Sequence, residues 1–186
     1  SYQSGMVHFE GHHSCMRAME SAGIPTRFPH SVQLYQTLLA KDWQATLCLY
    51  ARLRVPPTIM VCRAQVVRDS RRAAAAALDA LRAVRDMRYA AKPEPADMAG
   101  DPVSGTRRGV VKLGHSWEAT HVTVFRGEEQ LASALERLSN VPGGDASCML
   151  VQDFVPSEFE ARAFVINGVV AHIIYSNFGR IDPDGF

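Results

Sequence analysis

Lys112 has the position in this sequence best suited to chemistry, because it ends a short β-branched run and precedes a polar loop. The runs at residues 109–113 and 120–125 predict two strands of a hairpin, with that loop at its tip. A cation at a strand end, beside exposed backbone N–H groups, is a favourable arrangement for holding phosphate. The alternative interpretation is an ordinary surface hairpin with a solvated lysine.

Other polar residues lie where helices or strands are predicted to begin or end. Lys41 starts the helix that leads toward the first strand, and Gln152 follows a buried strand. Glu160 opens a later strand, with Arg162 on the same face two residues further on. Pairing between Glu160 and Arg162 would explain that spacing equally well, and Glu158 is a close alternative to Glu160.

The composition limits the function classes that need considering. The 186 residues suffice for one or two domains with a sizeable core. A net charge of +1 gives no electrostatic reason to expect nucleic acid or an anionic membrane as a partner. No run reaches the about 20 apolar residues of a membrane-spanning helix, and nothing at the start resembles a signal peptide. The four scattered cysteines indicate reduced, mostly buried thiols in a cytoplasmic protein.

The amino-terminal segment gives little functional information. Residues 1–11 are mixed in character and are expected to be poorly ordered. His8 and His12 have the i, i+4 spacing of a metal-binding pair on a helix. Because Gly11 interrupts the segment and the spacing defines no complete ligand set, we assign no metal to it.

Five helices are predicted from apolar periodicity and capping residues, at 15–22, 32–40, 42–54, 71–87 and 128–138. Gly23 stops the first helix, and Ser31 caps the second. The third has a stripe that we expect in the core, formed by Trp43, Leu47, Tyr50 and Leu53 or Arg54. The arginines of the fourth indicate a solvated face on a helix that covers a sheet.

The strands predict an α+β fold. Residues 58–62 are apolar on both faces, which is typical of a central strand, and residues 148–151 form another buried strand. Asn167 and Gly168 form the preferred turn of a hairpin between residues 159–165 and 169–175. The element order indicates a mixed α/β layout with largely antiparallel sheets, interrupted by one long irregular segment at 90–108.

In order and spacing, these segments resemble the ATP-grasp family over roughly residues 24–180. The segment 41–58, a helix followed by Val-Pro-Pro-Thr, is similar to the family's entry into its first α+β subdomain. Residues 110–125 resemble the family's second subdomain, and residues 150–155 resemble its adenine-contacting hinge. Residues 160–168 resemble the strand pair after that hinge. The run Val-Val-Lys-Leu-Gly-His also resembles the synapsin branch.

The resemblance implies that ATP is the cofactor. Lys41 and Lys112 would hold its phosphates as compact point charges. Adenine would lie against the hinge, which consists of Gln152, Asp153, Phe154 and Val155. The backbone of Asp153 and Val155 would bond the adenine edge, and Phe154 would contact the ring.

Three further roles follow from the same resemblance. Glu160 would accept the ribose hydroxyls. Arg162 would face the phosphates or an acyl-phosphate intermediate, which is the catalytic role. His115 and Ser116, in the hairpin loop, would cover the terminal phosphate.

Two departures from the family pattern bear on function. The loop at 114–119 is poorer in glycine and serine than the family's lid, which implies a looser grip on phosphate. The family's magnesium ligands lie on later strands, so they are expected outside this chain, and Asp182 and Asp184 indicate a turn.

The resemblance also implies a domain organisation. Residues 1–30 would be the tail of a preceding domain or disordered. Residues 31–108 would form a first ATP-grasp-like subdomain with a linker at 90–108. Residues 109–186 would form a truncated second subdomain that bears the lid.

The function expected from the sequence is ATP binding within an ATP-grasp protein. The parent would be a carboxylate–amine or carboxylate–thiol ligase that works through an acyl phosphate, with ATP, magnesium and an unknown carboxylate as its ligands. This chain alone is expected to bind nucleotide weakly and to be inactive. Two alternatives are a synapsin-like regulatory protein that holds ATP without catalysis, and an interaction module without nucleotide binding.

Overall fold

A computed structural model describes residues 3–25, 31–39, 41–50, 52–90, 108–114, 121–141 and 148–177. The helices are α1 (Gln3–Ser21), α2 (Val32–Leu39), α3 (Trp43–Leu47), α4 (Arg63–Arg68), α5 (Ser70–Tyr89) and α6 (Gly127–Ser139). The strands are β1 (Thr58–Cys62), β2 (Arg108–Leu113), β3 (Val122–Arg126), β4 (Cys148–Asp153), β5 (Phe159–Ile166) and β6 (Val169–Asn177). None of the described helices is both long and apolar enough to cross a membrane.

The chain divides into two compact units, residues 1–154 and residues 155–186. The first unit contains a four-stranded sheet in the order β1-β4-β2-β3, and the second contains the hairpin of β5 and β6. All the pairings within both sheets are antiparallel. The predicted α+β class with antiparallel sheets is therefore confirmed, and the four-stranded sheet takes strands from both sides of residue 108.

One face of the four-stranded sheet is covered by α5 and α6. Strand β2 alternates between buried and half-buried residues, which is the period-two pattern of a strand with one fully covered face. Val111 and Leu113 point into this core beside Leu135 of α6. Gly109 lies opposite Phe125, whose ring occupies the space that a side chain at Gly109 would need.

Helix α5 begins at Ser70, one residue before the predicted start, and Asp69 caps it. Asp69 Oδ1 accepts a hydrogen bond of 2.9 Å from the backbone N–H of Arg72. The alanine face packs on the sheet as expected. The expectation of solvated arginines is wrong for Arg85, which is buried. Arg88 lies beyond the predicted helix and donates to the backbone carbonyls of Cys48 and Leu53.

The amino-terminal helices agree with the predicted caps but not with the predicted start. Helix α1 begins at Gln3, well before residue 15, and runs through Gly11. Gly23 follows its end with a positive φ of 66°, as a helix-stopping glycine does. Ser31 Oγ accepts the N–H of Leu34, which confirms the predicted cap of α2.

Two predictions about the middle of the chain are wrong. Helix α3 ends at Leu47 instead of continuing to residue 54, and Tyr50 is 59% exposed, so the proposed core stripe is absent. Strand β1 is at the edge of the sheet and not in its centre, and Met60 is 54% exposed. An apolar sequence does not show whether a strand has a neighbouring strand on one edge or on both edges.

The second unit is a hairpin with the predicted turn. Asn167 and Gly168 both have positive φ, 51° and 78°, as a type I′ turn requires. The register shifts between Phe164 and Val165. Residues on both faces of this two-stranded sheet are exposed.

Candidate functional site

The second face of the four-stranded sheet, opposite α5 and α6, carries a polar cluster. Lys112 of β2 and Gln152 of β4 are half-buried, and the register of the two strands puts both side chains on this face. Thr58 of β1 lies opposite Gln152 in the strand register. We call Lys41, Gln44, Thr58, Lys112 and Gln152 the lysine site.

A continuous set of hydrogen bonds joins the amide and hydroxyl groups of the lysine site. Lys112 Nζ donates to Gln44 Oε1 at 2.7 Å and to Gln152 Oε1 at 3.0 Å. Gln152 Nε2 donates to Thr58 Oγ1 at 2.7 Å, and that hydroxyl donates to the carbonyl of Pro56. Each group orients the next, so Lys112 is held at a defined position on the sheet.

Lys41 is brought to the same place by its backbone. Its N–H donates a hydrogen bond of 2.9 Å to the carbonyl of Gly114, which directly follows β2. The first turn of α3 then places Gln44 Oε1 within hydrogen-bond distance of Lys112 Nζ. The structure therefore brings together the two lysines that the sequence singles out for phosphate.

Burial and like charge shape the electrostatics of the lysine site. Burial lowers the pKa of Lys41. Burial and then the neighbouring charge of Lys41 lower the pKa of Lys112 to about 8. In the described part of the chain, no carboxylate pairs with Lys112, so neutral amide oxygens are the acceptors of its ammonium group.

Two buried polar atoms adjoin Lys41 in the sequence. Oδ1 of Asp42 and the indole Nε1 of Trp43 have no hydrogen-bond partner among the described residues. Buried polar groups without partners are uncommon in folded proteins because their desolvation is not compensated. The indole N–H is thus a further donor at the start of α3.

The end of β4 is held to the sheet from both sides. The N–H of Asp153 donates to the carbonyl of Pro57 at 3.0 Å, and the N–H of Phe154 donates to the carbonyl of Arg108 at 3.2 Å. The Asp153 side chain turns to the helix-covered face, where Oδ1 lies 3.5 Å from Arg85 Nη1. Gln152 and Asp153 therefore lie on opposite faces of the sheet. The resemblance assigns the backbone of Asp153 to adenine, and its N–H is bonded to the carbonyl of Pro57.

Phe154 contacts a cation. The guanidinium of Arg108 lies over its ring at 4.2 Å from the centroid, a cation–π distance. Val155, the next residue, belongs to the second unit and is exposed.

The remaining predicted residues are not part of the lysine site as defined above. Glu160 and Arg162 lie on β5 of the second unit, where Arg162 Nη2 and Glu160 Oε1 form an exposed ion pair at 3.1 Å. This is the pairing that the sequence left open as an alternative. His115 and Ser116 lie outside the described residues.

Sequence reasoning misses two residues of the lysine site, Gln44 and Thr58. Gln44 follows Lys41 by three residues, the spacing at which side chains on a helix become neighbours. That spacing is a usable signal, although the apolar periodicity of the third helix draws attention to a core stripe instead. Thr58 is predicted only as part of a strand, and nothing in the sequence indicates that it faces Gln152.

Comparison with known proteins identifies no relative. No protein-family model matches the chain, and neither the curated proteins nor the solved structures include a match. The fold and the site define an α+β protein in which Lys112 of the antiparallel sheet and Lys41 beside it form a partly buried pair, on the sheet face opposite α5 and α6. Among the described residues, no group of three or more histidine, cysteine, aspartate and glutamate side chains is placed to hold a metal ion, so magnesium finds no ligand set there.

Proposed function

We propose that this chain binds the phosphate groups of ATP through Lys41 and Lys112, as the nucleotide-binding part of an ATP-grasp-like protein. The observation that carries the proposal is the convergence of these two lysines, from distant segments, beside one sheet face. A polyphosphate would neutralise both ammonium groups at once. It would therefore relieve the like-charge repulsion that helps to lower the pKa of Lys112.

The hydrogen-bond partners of Lys112 favour an exchangeable anion site over a permanent ion pair. An amide oxygen from Gln44 or Gln152 can give way to a phosphate oxygen without leaving a buried carboxylate uncompensated. Hydrogen bonds between charged groups are also stronger than those from an ammonium to a neutral amide. Binding would thus replace weak acceptors by strong ones.

The adenine and ribose contacts are the second part of the proposal. Phe154 follows closely after Gln152 in the chain, so a nucleotide with its phosphates at Lys112 would extend toward the end of β4. Val155 keeps the adenine contact that the resemblance implies. Glu160 and Arg162 keep the roles that the resemblance implies, ribose binding and contact with the reacting phosphate. Both assignments rest on the ATP-grasp resemblance.

The reaction that we propose for the parent protein is ATP-dependent ligation of a carboxylate through an acyl phosphate, in the cytoplasm. A synapsin-like protein that binds ATP without catalysis would use the same lysine site. Formation of ADP in the presence of a carboxylate and an amine or thiol would distinguish the ligase from the binding protein.

The proposal is tested by isothermal titration of the chain with ATP, with and without magnesium, at millimolar ligand. We expect Lys112→Ala and Lys41→Ala each to weaken ATP binding about tenfold, because each removes a charge-assisted hydrogen bond worth at least about 1.4 kcal/mol. Arg82→Ala is the matched control, since it removes one exposed positive charge elsewhere on the chain.

Either of two results would contradict the assignment. If the unmutated chain binds ATP and the Lys112→Ala variant binds it equally well, the phosphates are held elsewhere. If ATP changes neither the heat signal nor the melting temperature, the interaction-module alternative is favoured.

A further inference from the structure

Cys62 and Cys148 lie opposite each other on β1, an edge strand of the four-stranded sheet, and its neighbour β4. They are the last residue of β1 and the first residue of β4, and they are direct partners in the antiparallel register. Opposite residues in a sheet project to the same face, so the two side chains lie on the same side. All four cysteines of the chain are thiols in this structure.

The hydrogen-bond pattern identifies the kind of pair that they form. Because the N–H of Asp153 donates to the carbonyl of Pro57, the adjacent Thr58–Gln152 pair is of the non-hydrogen-bonded type. The two types alternate along an antiparallel ladder, and the register has no shift up to Cys62 and Cys148. The cysteine pair is therefore also non-hydrogen-bonded.

Such a pair has the geometry that a disulfide needs. Its Cα atoms are about 4.5 Å apart and its side chains are closer than in a hydrogen-bonded pair. A disulfide spans Cα separations of about 4.4 to 6.8 Å. Joining the two sulfurs therefore requires rotation about the side-chain bonds and no movement of the strands.

The backbone at both cysteines is held in place. The N–H of Cys62 donates to Gln65 Oε1 at 3.3 Å, and the carbonyl of Cys148 accepts from the N–H of Gly114 at 3.4 Å. Cys62 is exposed to solvent, whereas Cys148, opposite it on the next strand, is half-buried. A dissolved oxidant would thus meet Cys62 first, with Cys148 next to it as the second thiol.

We propose that Cys62 and Cys148 are a redox modification site that forms a reversible cross-strand disulfide with a peroxide as oxidant. The Cys62 thiolate attacks one peroxide oxygen, the O–O bond breaks, and hydroxide leaves to give a sulfenic acid. The Cys148 thiolate then attacks the Cys62 sulfur, the S–O bond breaks, and hydroxide leaves as the S–S bond forms. The two thiols lose two electrons and two protons in total, and the peroxide is reduced to two molecules of water.

The site adjoins the lysine site but does not depend on its proposed function. The Cys148 sulfur lies beside Gly114, where a Cβ added to the glycine would be 3.0 Å from it. The carbonyl of Gly114 is the group that holds the N–H of Lys41. Oxidation would consequently change the packing at the end of β2, next to Lys112.

The test is mild oxidation of the reduced full chain with hydrogen peroxide, followed by thiol titration and non-reducing peptide mass spectrometry. We expect the four thiols to fall to two, with a peptide pair linked through Cys62 and Cys148. A dithiol reductant should restore all four thiols. Cys15→Ser is the control, because Cys15 is also exposed but has no cysteine opposite it in a strand register.

Two variants test the register itself. Cys62→Ser removes an exposed thiol and should abolish the link while leaving the melting temperature nearly unchanged. Val61→Cys combined with Cys62→Ser moves the thiol to the opposite face of β1 and should give no link to Cys148. Over-oxidation of Cys62 without a link, disulfide-bonded dimers through Cys62, or an equal link in the shifted variant would each overturn the proposal.

Discussion

Lys112 lies partly out of water and within reach of the positive charge of Lys41, and these two effects, in that order, lower its pKa to about 8. Burial and the like charge of Lys41 both disfavour the ammonium form of Lys112 in the folded chain. An anion bound beside both lysines would offset these two effects. The lysine pair is therefore the feature from which the functional proposal and two of the following predictions derive.

Anion binding should depend on pH in the range around the pKa of Lys112. An anion stabilises the charged lysine and so raises its pKa above about 8, which means that binding at pH 8 takes up protons. Affinity for inorganic triphosphate should fall as the pH rises above 8. Calorimetry at pH 8 in buffers of different ionisation enthalpy measures the uptake, which Lys112→Ala should remove. If the binding heat of the unmutated chain is the same in all buffers, this prediction is contradicted.

The same lysine should destabilise the free protein below pH 8. Its pKa is about 8 when folded and ordinarily 10.5, so the unfolded chain binds more protons between these values. The destabilisation is complete below pH 8 and is relieved as the pH rises to 10.5. At pH 7 we expect the melting temperature of Lys112→Met to be on the order of 2 °C above that of the unmutated chain. The difference should shrink toward pH 10.5.

Melting curves at pH 7, 9 and 10.5 check this prediction. Arg82→Met serves as the control, because its exposed ion pair with Asp79 should contribute little at any of these pH values. A stability difference between Lys112→Met and the parent that stays constant across the window would show that the charge of Lys112 is not its cause.

Gly109 is required by the packing of Phe125. A Cβ at this position would overlap the Phe125 ring, which is 2% exposed and enclosed by α6 and the sheet. We expect Gly109→Ala to lower the free energy of unfolding by about 1–3 kcal/mol, the usual effect of overpacking. Gly11→Ala is the matched control: it lies in α1 with open space around it and should be neutral or slightly stabilising. Urea unfolding of both variants measures the difference.

The buried pair of Arg85 and Asp153 should show strong coupling. Their side chains are 11% and 6% exposed, and 3.5 Å separates Nη1 from Oδ1. Removing one partner leaves the other charge buried, so Arg85→Ala and Asp153→Ala should each cost about 3–5 kcal/mol. Arg85→Ala combined with Asp153→Ala should cost much less than the sum of the two single changes, because the double variant leaves neither charge buried alone. A double-mutant cycle by urea unfolding measures the coupling, and additive effects would contradict it.

Features that neighbouring residues specify could be predicted from the sequence. Ser31 caps its helix as predicted, because a short side-chain oxygen reaches the first free N–H groups within three residues. Asn167 and Gly168 give the β5–β6 turn because both tolerate positive φ. The hairpin of β2 and β3 follows from two β-branched runs on either side of a polar loop. The two lysines stand out by their places at the ends of predicted elements.

Which distant residues meet is a property of the tertiary fold. The order β1-β4-β2-β3 places Gln152 between Thr58 and Lys112, Cys148 opposite Cys62, and β1 at an edge. The same packing buries Arg85 against Asp153, although its helix looks like one with a solvated arginine face. Capping and turns act over a few residues, whereas the register between β4 and its neighbours depends on how the whole core closes, and no single segment contains that information.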